Sequence, residues 1–239
     1  MTKWLQRLTR PEDPRVRLVC FAHAGGSASF YRPWQTLVPP EVELVAVQYP
    51  GRHDRFDEPT VDTMDDLVRA ALPDLEGLGD RPAVFFGHSM GAAVAYEAML
   101  RLTWAPRLLV ASARAAPSVD CRSDRHLDSD AELIAALEPM GGFYAEVLAD
   151  ADLRELFMPA LRADCRLIQT YLADPDRRVD VPILAVVGDR DADVSVADAR
   201  AWEHATSAGC TLEVFAGDHF YIGRHAHTVI KTALAAINW

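Results

Sequence analysis

A serine flanked by glycines, in the segment Gly87-His88-Ser89-Met90-Gly91, is the best candidate in this chain for covalent chemistry. An apolar run, residues 83–86, ends directly before the segment, and a run of small residues with helical character, residues 92–100, follows it. A strand, a G-x-S-x-G turn and a helix in this order predict a nucleophile elbow, which exposes the serine hydroxyl above the end of a sheet. Glycines are expected there because a Cβ would clash where strand and helix pass closely. The segment therefore predicts acyl transfer at Ser89 by a hydrolase.

A serine nucleophile needs a base and an acid that orients the base. His219 lies in a glycine turn directly after the last predicted strand, so we interpret it as the base. Asp191, the third residue after Gly188, is predicted to be the acid that holds the His219 tautomer. Asp189 is the alternative acid and is interpreted as a turn-stabilising side chain. The other histidines that follow the serine are interpreted as surface, capping or insertion residues: His126, His204, His225 and His227.

Backbone amides for an oxyanion are expected from two loops. The first is the elbow itself, which offers the amide of Met90. The second is the small-residue loop 21–27 after the first long strand, which offers the amide of Ala24 or of Gly25. A phosphate-cradling loop is the competing interpretation, but G-x-G-x-x-G and a P-loop lysine are both missing. We expect His23 and His88 to brace the two loops rather than to transfer protons.

The elements that must position these residues alternate between strands and helices. Most of the predicted strands are continuous apolar runs, as is typical of strands covered on both faces. The predicted strands are residues 17–21, 42–47, 83–86, 107–111, 183–187 and 212–215. The predicted helices are residues 29–38, 60–76, 91–103, 196–206 and 224–236. This alternation predicts the α/β class: a mostly parallel sheet with helices on both faces and the site at the carboxyl ends of the strands.

Some seventy residues between the predicted strands 107–111 and 183–187 contain no strand pattern. Helices are predicted there at 128–138, 143–148 and 152–172, with Gly141-Gly142 as a hinge. We interpret this stretch, about 118–175, as a helical lid above the ends of the strands. Residues 1–239 are otherwise predicted to be one domain.

Bulk properties narrow the possible classes of function. The chain has 239 residues and a net charge of −11, which argues against a nucleic-acid partner. No apolar run is long enough to span a membrane, and the first residues lack the apolar region of a secretory signal, so a cytoplasmic location is expected. The four cysteines are scattered, which predicts reduced thiols and no metal site.

These residues resemble the type II thioesterases that accompany polyketide synthases and nonribosomal peptide synthetases, members of the α/β-hydrolase superfamily. The similarity covers nearly the whole chain, through residues 18–28, 48–52, 87–92, 112–117, 140–142, 161–164, 188–191 and 217–220. Ala22 and Asp218 depart from the family pattern, which often has Pro and Gly there.

The resemblance implies an enzyme that hydrolyses acyl groups from the phosphopantetheine arm of acyl or peptidyl carrier proteins and clears aberrant or stalled units. It implies no metal or redox cofactor, and a monomer is the default expectation. Because both partners would be acidic, a local cluster of Arg52, Arg55 and Arg114 is predicted to meet the carrier protein.

Three alternatives stay open at this level. The same catalytic residues would serve a hydrolase of small free esters or a chain-releasing, macrocycle-forming thioesterase. The absence of linker sequence at either end favours a free-standing hydrolase over the latter. A non-catalytic module that binds carrier proteins is the third, and the intact Ser89, Asp191 and His219 speak against it.

Overall fold

Seven strands form one sheet in the computed structural model, which describes residues 3–119, 129–174 and 176–237. The strands are β1 (Leu5–Arg7), β2 (Val16–Phe21), β3 (Val42–Val47), β4 (Ala83–His88), β5 (Leu108–Ser112), β6 (Ile183–Gly188) and β7 (Cys210–Phe215). Their order is β1-β3-β2-β4-β5-β6-β7, and every neighbouring pair is parallel except β1 with β3. The predicted mostly parallel sheet is confirmed, and β1 is the one described strand that the apolar pattern did not predict.

Burial explains why the long strands could be predicted. Every residue of β2 to β6 is buried, so these strands are mainly apolar rather than alternating. The buried charges of β2 and β3, Arg17 and Glu43, form an ion pair with each other. β7 lies at the edge of the sheet and has exposed positions. β1 has only three residues, too few to show a period.

Seven α-helices connect these strands within the described part of the chain. They are α1 (Met64–Glu76), α2 (Met90–Met99), α3 (Asp130–Leu137), α4 (Gly142–Ala149), α5 (Ala151–Thr170), α6 (Val196–Arg200) and α7 (Ile222–Ala235). Tight 3₁₀ turns occupy Ala28–Thr36, His53–Arg55, Glu138–Met140 and Ala201–Ala205. The helix predicted at 29–38 is thus a 3₁₀ segment, and the one predicted at 196–206 divides into α6 and a 3₁₀ turn. The helix predicted from residue 60 begins at Met64, because the Thr63 side chain caps it by accepting from the amide of Asp66.

Between β5 and β6 the chain forms α3, α4 and α5, hereafter the helical insertion. Gly141 and Gly142, predicted to be a hinge, both have positive φ, at 69° and 49°, and they join the turn after α3 to α4. Cys121, His126 and residue 128, the start of the first predicted insertion helix, lie outside the described residues. That residues 1–239 form one domain, with a lid at about 118–175, stays a prediction.

The register of the parallel strands brings the candidate residues to one edge of the sheet. His88 at the end of β4 pairs with Ser112 at the end of β5, and Gly188 at the end of β6 pairs with Phe215 at the end of β7. The loops that follow β2, β4, β6 and β7 therefore open on the same side. No helix of the described part of the chain is long and apolar enough to cross a membrane.

Candidate active site

Ser89 lies on the turn between β4 and α2 with φ 53° and ψ −121°, a backbone conformation that non-glycine residues rarely adopt. Its amide donates to the carbonyl of Ser112 at 2.8 Å, which ties the turn to the end of β5. The turn is therefore held in a strained conformation by its neighbours. This is the geometry that the G-x-S-x-G pattern predicts.

The two glycines of the elbow are required by close backbone approach. A Cβ on Gly87 would lie 2.3 Å from the carbonyl oxygen of Gly91. A Cβ on Gly91 would lie 2.1 Å from the carbonyl oxygen of Phe21 and 2.7 Å from that of Ala22. Real Cβ atoms do not come this close to backbone, so any larger residue would push α2 away from the end of β2. The glycines thus place Ser89 directly beside the loop that follows β2.

His219 and Asp191 form a buried pair beside this turn. Nδ1 of His219 lies 2.9 Å from each carboxylate oxygen of Asp191, and both side chains are fully buried. Oδ1 of Asp191 also accepts from the amides of Asp193 at 2.9 Å and Val194 at 3.2 Å, which fixes the carboxylate. A carboxylate at Nδ1 selects the tautomer that carries its proton there and leaves Nε2 as an acceptor.

Nε2 of His219 is buried and makes no hydrogen bond to any described residue, the Ser89 hydroxyl included. The His219 ring lies 5.3 Å from the ring of His88, the residue before Ser89. An acceptor nitrogen that has no partner and lies near the serine turn is what a general base needs before substrate arrives, because catalytic hydrogen bonds are often long in free enzymes.

The other acid and the other described histidines that follow Ser89 lie in turns, near a helix start or at the surface. Asp189 accepts from the amide of Gly217 at 2.8 Å, so it stabilises the turn before His219, in line with its interpretation above. Nε2 of His225 contacts the carbonyl of Ala216 at 3.0 Å near the start of α7. The side chains of His204 and His227 are exposed.

The structure distinguishes between the two predicted amide donors of the first loop. The amide of Gly25 donates to Oδ2 of Asp164 at 2.7 Å, so it is already engaged and Gly25 is not the free donor. The amide of Ala24 makes no hydrogen bond within the described residues. Met90 is the first residue of α2, where an amide has no partner inside the helix. Ala24 and Met90 line one cavity together with Ser89, so these two amides stay candidates for an oxyanion hole.

That cavity encloses about 610 Å³ and is walled largely by the helical insertion. Its apolar lining comes mainly from insertion residues: Ala135, Ala136, Leu137, Pro139, Met140, Tyr144, Cys165 and Ile168. The volume suits an acyl chain of modest length, since ligand pockets commonly range from about 300 to 1,000 Å³. Burial raises the pKa of the Cys165 thiol to about 12, so this thiol stays protonated and is a poor nucleophile.

His23 and His88 sit behind the site as neutral rings. Burial, followed by electrostatic interaction with His219 and with the Arg52 guanidinium, lowers the pKa of His23 to about 3. Neither of its nitrogens has a hydrogen-bond partner among the described residues, and its ring packs against Phe30 and Phe143, each at 4.6 Å. Burial likewise lowers the pKa of His88, whose Nδ1 contacts the Ser112 hydroxyl at 2.9 Å. Both rings contribute packing and not charge.

These neutral histidines should make the fold sensitive to mild acid. An unfolded His23 binds a proton below about pH 6.5, whereas the folded one stays neutral down to about pH 3, so stability falls as pH drops through that range. At pH 5 the penalty from His23 alone is about 2 kcal/mol. Between pH 7.5 and pH 5 the free energy of unfolding should fall in both proteins, and the fall should be smaller in His23→Phe than in the wild type by about 2 kcal/mol. Urea unfolding at the two pH values measures this difference. His204→Gln, at an exposed position, should behave like the wild type, and an unchanged slope in His23→Phe would contradict the argument.

The prediction that Arg52 and Arg55 belong to an arginine cluster that meets the carrier protein is wrong. Both side chains are buried, because Arg52 pairs with Asp164 and Arg55 donates to the carbonyl of Gln48 at 2.8 Å and to Glu58 at 2.7 Å. Neither guanidinium is available to a partner protein. Arg114 does line the cavity. Its contact with a carrier protein stays a prediction.

Asp164 and Tyr144 are the residues of the site to which the sequence analysis gave no role. Asp164 is buried on α5 at helical spacing from the buried Leu161 and Leu167, so an acid on the apolar face of a helical pattern was the available signal. Tyr144 on α4 donates to the carbonyl of Ala24 at 3.1 Å. No group of three metal-ligating side chains occurs in the ranges that the structure describes.

Comparison with known proteins identifies the family. Residues 16–237 match the family model of the thioesterase domain. The chain is 41% identical over 230 residues to a probable cadicidin biosynthesis thioesterase of Streptomyces griseus, covering 95% of this chain and 64% of that protein. It is 34% identical to the thioesterase PikA5 of Streptomyces venezuelae, covering 95% of this chain and 82% of that protein.

A solved structure supports the same assignment over nearly the full length of both chains. The type II thioesterase BorB from the borrelidin biosynthetic cluster superposes with a TM-score of 0.90 at 36% identity, covering 98% of this chain and 97% of BorB. The resemblance stated above is confirmed: this chain is a type II thioesterase, a thioester hydrolase of the α/β-hydrolase fold.

Proposed function

We propose that this enzyme hydrolyses acyl thioesters on the phosphopantetheine arm of a carrier protein and so removes aberrant or stalled units from a biosynthetic assembly line. One observation carries the chemistry: Ser89 lies on a strained turn at a cavity walled by the helical insertion, and the ring of the buried, Asp191-paired His219 lies 5.3 Å from the ring of His88 on the same turn. The similarity to thioesterases named for cadicidin and borrelidin biosynthesis supports the pathway class.

In the first half of the reaction Ser89 forms the acyl-enzyme. Its hydroxyl oxygen attacks the thioester carbon while Nε2 of His219 takes the proton. The carbonyl oxygen becomes an alkoxide that accepts from the amides of Ala24 and Met90. The tetrahedral species collapses, the C–S bond breaks, and the thiol of the arm leaves with the proton from His219.

In the second half, water releases the acid. Nε2 of His219 takes a proton from water as its oxygen attacks the acyl carbon of the Ser89 ester, and the same two amides hold the new alkoxide. The C–O bond to Ser89 then breaks and His219 returns the proton to the serine. Asp191 stabilises the imidazolium in both halves and keeps its own negative charge.

The chain supplies the nucleophile, the base and the oxyanion donors itself, so the proposed reaction needs no metal or cofactor. The pantetheine belongs to the partner. The resemblance implies a discrete enzyme that acts on carrier proteins. We extend the proposal to a cytoplasmic enzyme that acts as a monomer.

The test compares carrier-bound and free substrates. A panel of carrier proteins loaded with acetyl, butyryl, hexanoyl and decanoyl groups is incubated with the enzyme, and intact-protein mass spectrometry follows loss of the acyl mass. We expect the specificity constant for at least one carrier-bound acyl group to exceed that for the matching p-nitrophenyl ester by about tenfold or more. Equal or higher values for the free ester would instead favour a small-ester hydrolase, and a cyclised product from a longer chain would favour a chain-releasing enzyme.

A further inference from the structure

One peptide unit of the loop after β2 is held at both of its polar ends by the helical insertion. The carbonyl of Ala24 accepts from the Tyr144 hydroxyl of α4 at 3.1 Å. The amide of Gly25 donates to Oδ2 of Asp164 of α5 at 2.7 Å. These two groups belong to the same planar peptide, so the two bonds together fix the orientation of that plane. Tyr144 and Asp164 are both about 1% exposed, so water does not compete for these contacts.

The carboxylate of Asp164 is itself held in place. Both terminal nitrogens of Arg52 donate to it, one of them to Oδ1 at 2.9 Å. Arg52 is anchored in turn, since its Nε donates to the carbonyl of Pro50 at 3.1 Å and Nη1 reaches the carbonyl of Gly26 at 3.3 Å. Asp164 therefore cannot rotate away from the loop without breaking a buried ion pair.

The neighbouring peptide carries the amide that matters for catalysis. The amide of Ala24 and the carbonyl of His23 are opposite ends of one peptide unit, and that carbonyl accepts from the amide of Gly26 at 3.0 Å. Ala24 thus lies between two peptide planes, each fixed by hydrogen bonds. Because two dihedral angles connect these planes, fixing the second plane removes the remaining freedom in the direction of the Ala24 amide.

We propose that Tyr144 and Asp164 are positioning residues that hold the Ala24 amide in its oxyanion-binding direction, which makes the helical insertion part of the transition-state machinery as well as a wall of the acyl cavity. This inference rests on the proposed roles of Ser89 and Ala24. Burial raises the pKa of Tyr144 well above its usual range, so its hydroxyl stays protonated and acts as the donor to Ala24. Asp164 acts through Gly25, and neither side chain needs to touch the substrate.

A residue that positions an oxyanion donor has a different kinetic effect from a residue that only lines or covers the acyl cavity. Interactions that exist only in the transition state change kcat, whereas uniform binding of the substrate changes KM. Complete loss of one oxyanion donor typically costs about 10²–10³ in kcat. Tyr144→Phe removes one of two anchors and keeps the ring that lines the cavity, so we expect kcat to fall about tenfold with KM within about twofold of the wild-type value.

The experiment uses p-nitrophenyl butyrate and butyryl-N-acetylcysteamine, which need no carrier protein. It also measures two inhibitors: an alkyl trifluoromethyl ketone, which adds to the serine and places an oxyanion in the hole, and the matching thioether, which cannot. In Tyr144→Phe we expect the ketone to bind about tenfold more weakly and the thioether to bind as in the wild type. The matched control is Tyr96→Phe, because the Tyr96 hydroxyl donates to the carbonyl of Arg177 at 2.8 Å, away from the loop.

Equal losses of kcat in Tyr144→Phe and Tyr96→Phe, or equal weakening of ketone and thioether, would overturn the inference. Failure of the proposed function is a separate result. If carrier-bound thioesters are not hydrolysed while simple esters are, the substrate assignment fails and the positioning test still stands. If Ser89→Ala keeps the wild-type rate on simple esters, the nucleophile assignment fails and the positioning inference fails with it.

Discussion

Replacing Ser89 by alanine is expected to lower the rate of thioester hydrolysis by roughly 10⁴–10⁶-fold while the protein stays folded. The substitution removes the atom that forms the acyl-enzyme, and neither water nor His219 alone can replace it. Alanine keeps a Cβ on the strained turn at φ 53°, so the fold does not gain or lose a backbone constraint. The amides of Ala24 and Met90 are untouched, and residual catalysis above the uncatalysed rate is expected from them.

The measurement is thioester hydrolysis together with covalent labelling by a fluorophosphonate. Wild-type enzyme should show a mass increase on the peptide that contains Ser89, and Ser89→Ala should show none. Ser207→Ala changes a serine near the amino end of β7, where its hydroxyl donates to Asp180 at 2.7 Å, and should keep the wild-type rate. Labelling of a different residue in Ser89→Ala, or a loss of less than about a hundredfold, would show that Ser89 is not the nucleophile.

The strands could be predicted from the sequence where they are buried on both faces, because their residues are then mainly apolar. Strands β2 to β6 are buried along their whole length, and their parallel arrangement follows from the helices that separate them. The 3₁₀ segment Ala28–Thr36 was predicted as an α-helix, since the choice between the two depends on hydrogen bonds and not on which residues are apolar. β1 is stabilised by its pairing with β3, which is a tertiary contact.

The pairing of His219 with Asp191, at the edge of the sheet where Ser89 also lies, was predictable, because residues at the carboxyl ends of parallel strands meet at one edge. The choice between Ala24 and Gly25 was not, because it depends on an acceptor, Asp164, that lies 139 residues further along the chain. The burial of Arg52 was not predictable for the same reason. Sequence alone does not distinguish a buried arginine from an exposed one, and Arg52 is buried because it pairs with the distant Asp164.

The buried pair of Arg52 and Asp164 makes Asp164→Asn the substitution expected to destabilise the fold most among those considered. Arg52 is 4% exposed and Asp164 1%. Removing one charge leaves the other buried without compensation, which typically costs about 3–5 kcal/mol. We expect that loss in the free energy of unfolding, measured by denaturant titration. Asp66→Asn is the matched control, because Asp66 pairs with Arg69 on the exposed face of α1 and should cost less than about 1 kcal/mol.

A double variant separates the stability of this pair from its effect on the loop. Arg52→Leu combined with Asp164→Leu removes both charges, and buried ion pairs replaced by apolar residues are often neutral in stability. We expect it to recover most of the stability lost in Asp164→Asn. Its kcat should nevertheless stay low, because the amide of Gly25 has lost its acceptor and the loop that carries Ala24 is no longer held. Recovery of both stability and kcat would show that the ion pair serves folding alone, whereas recovery of stability without kcat ties the insertion to the transition state.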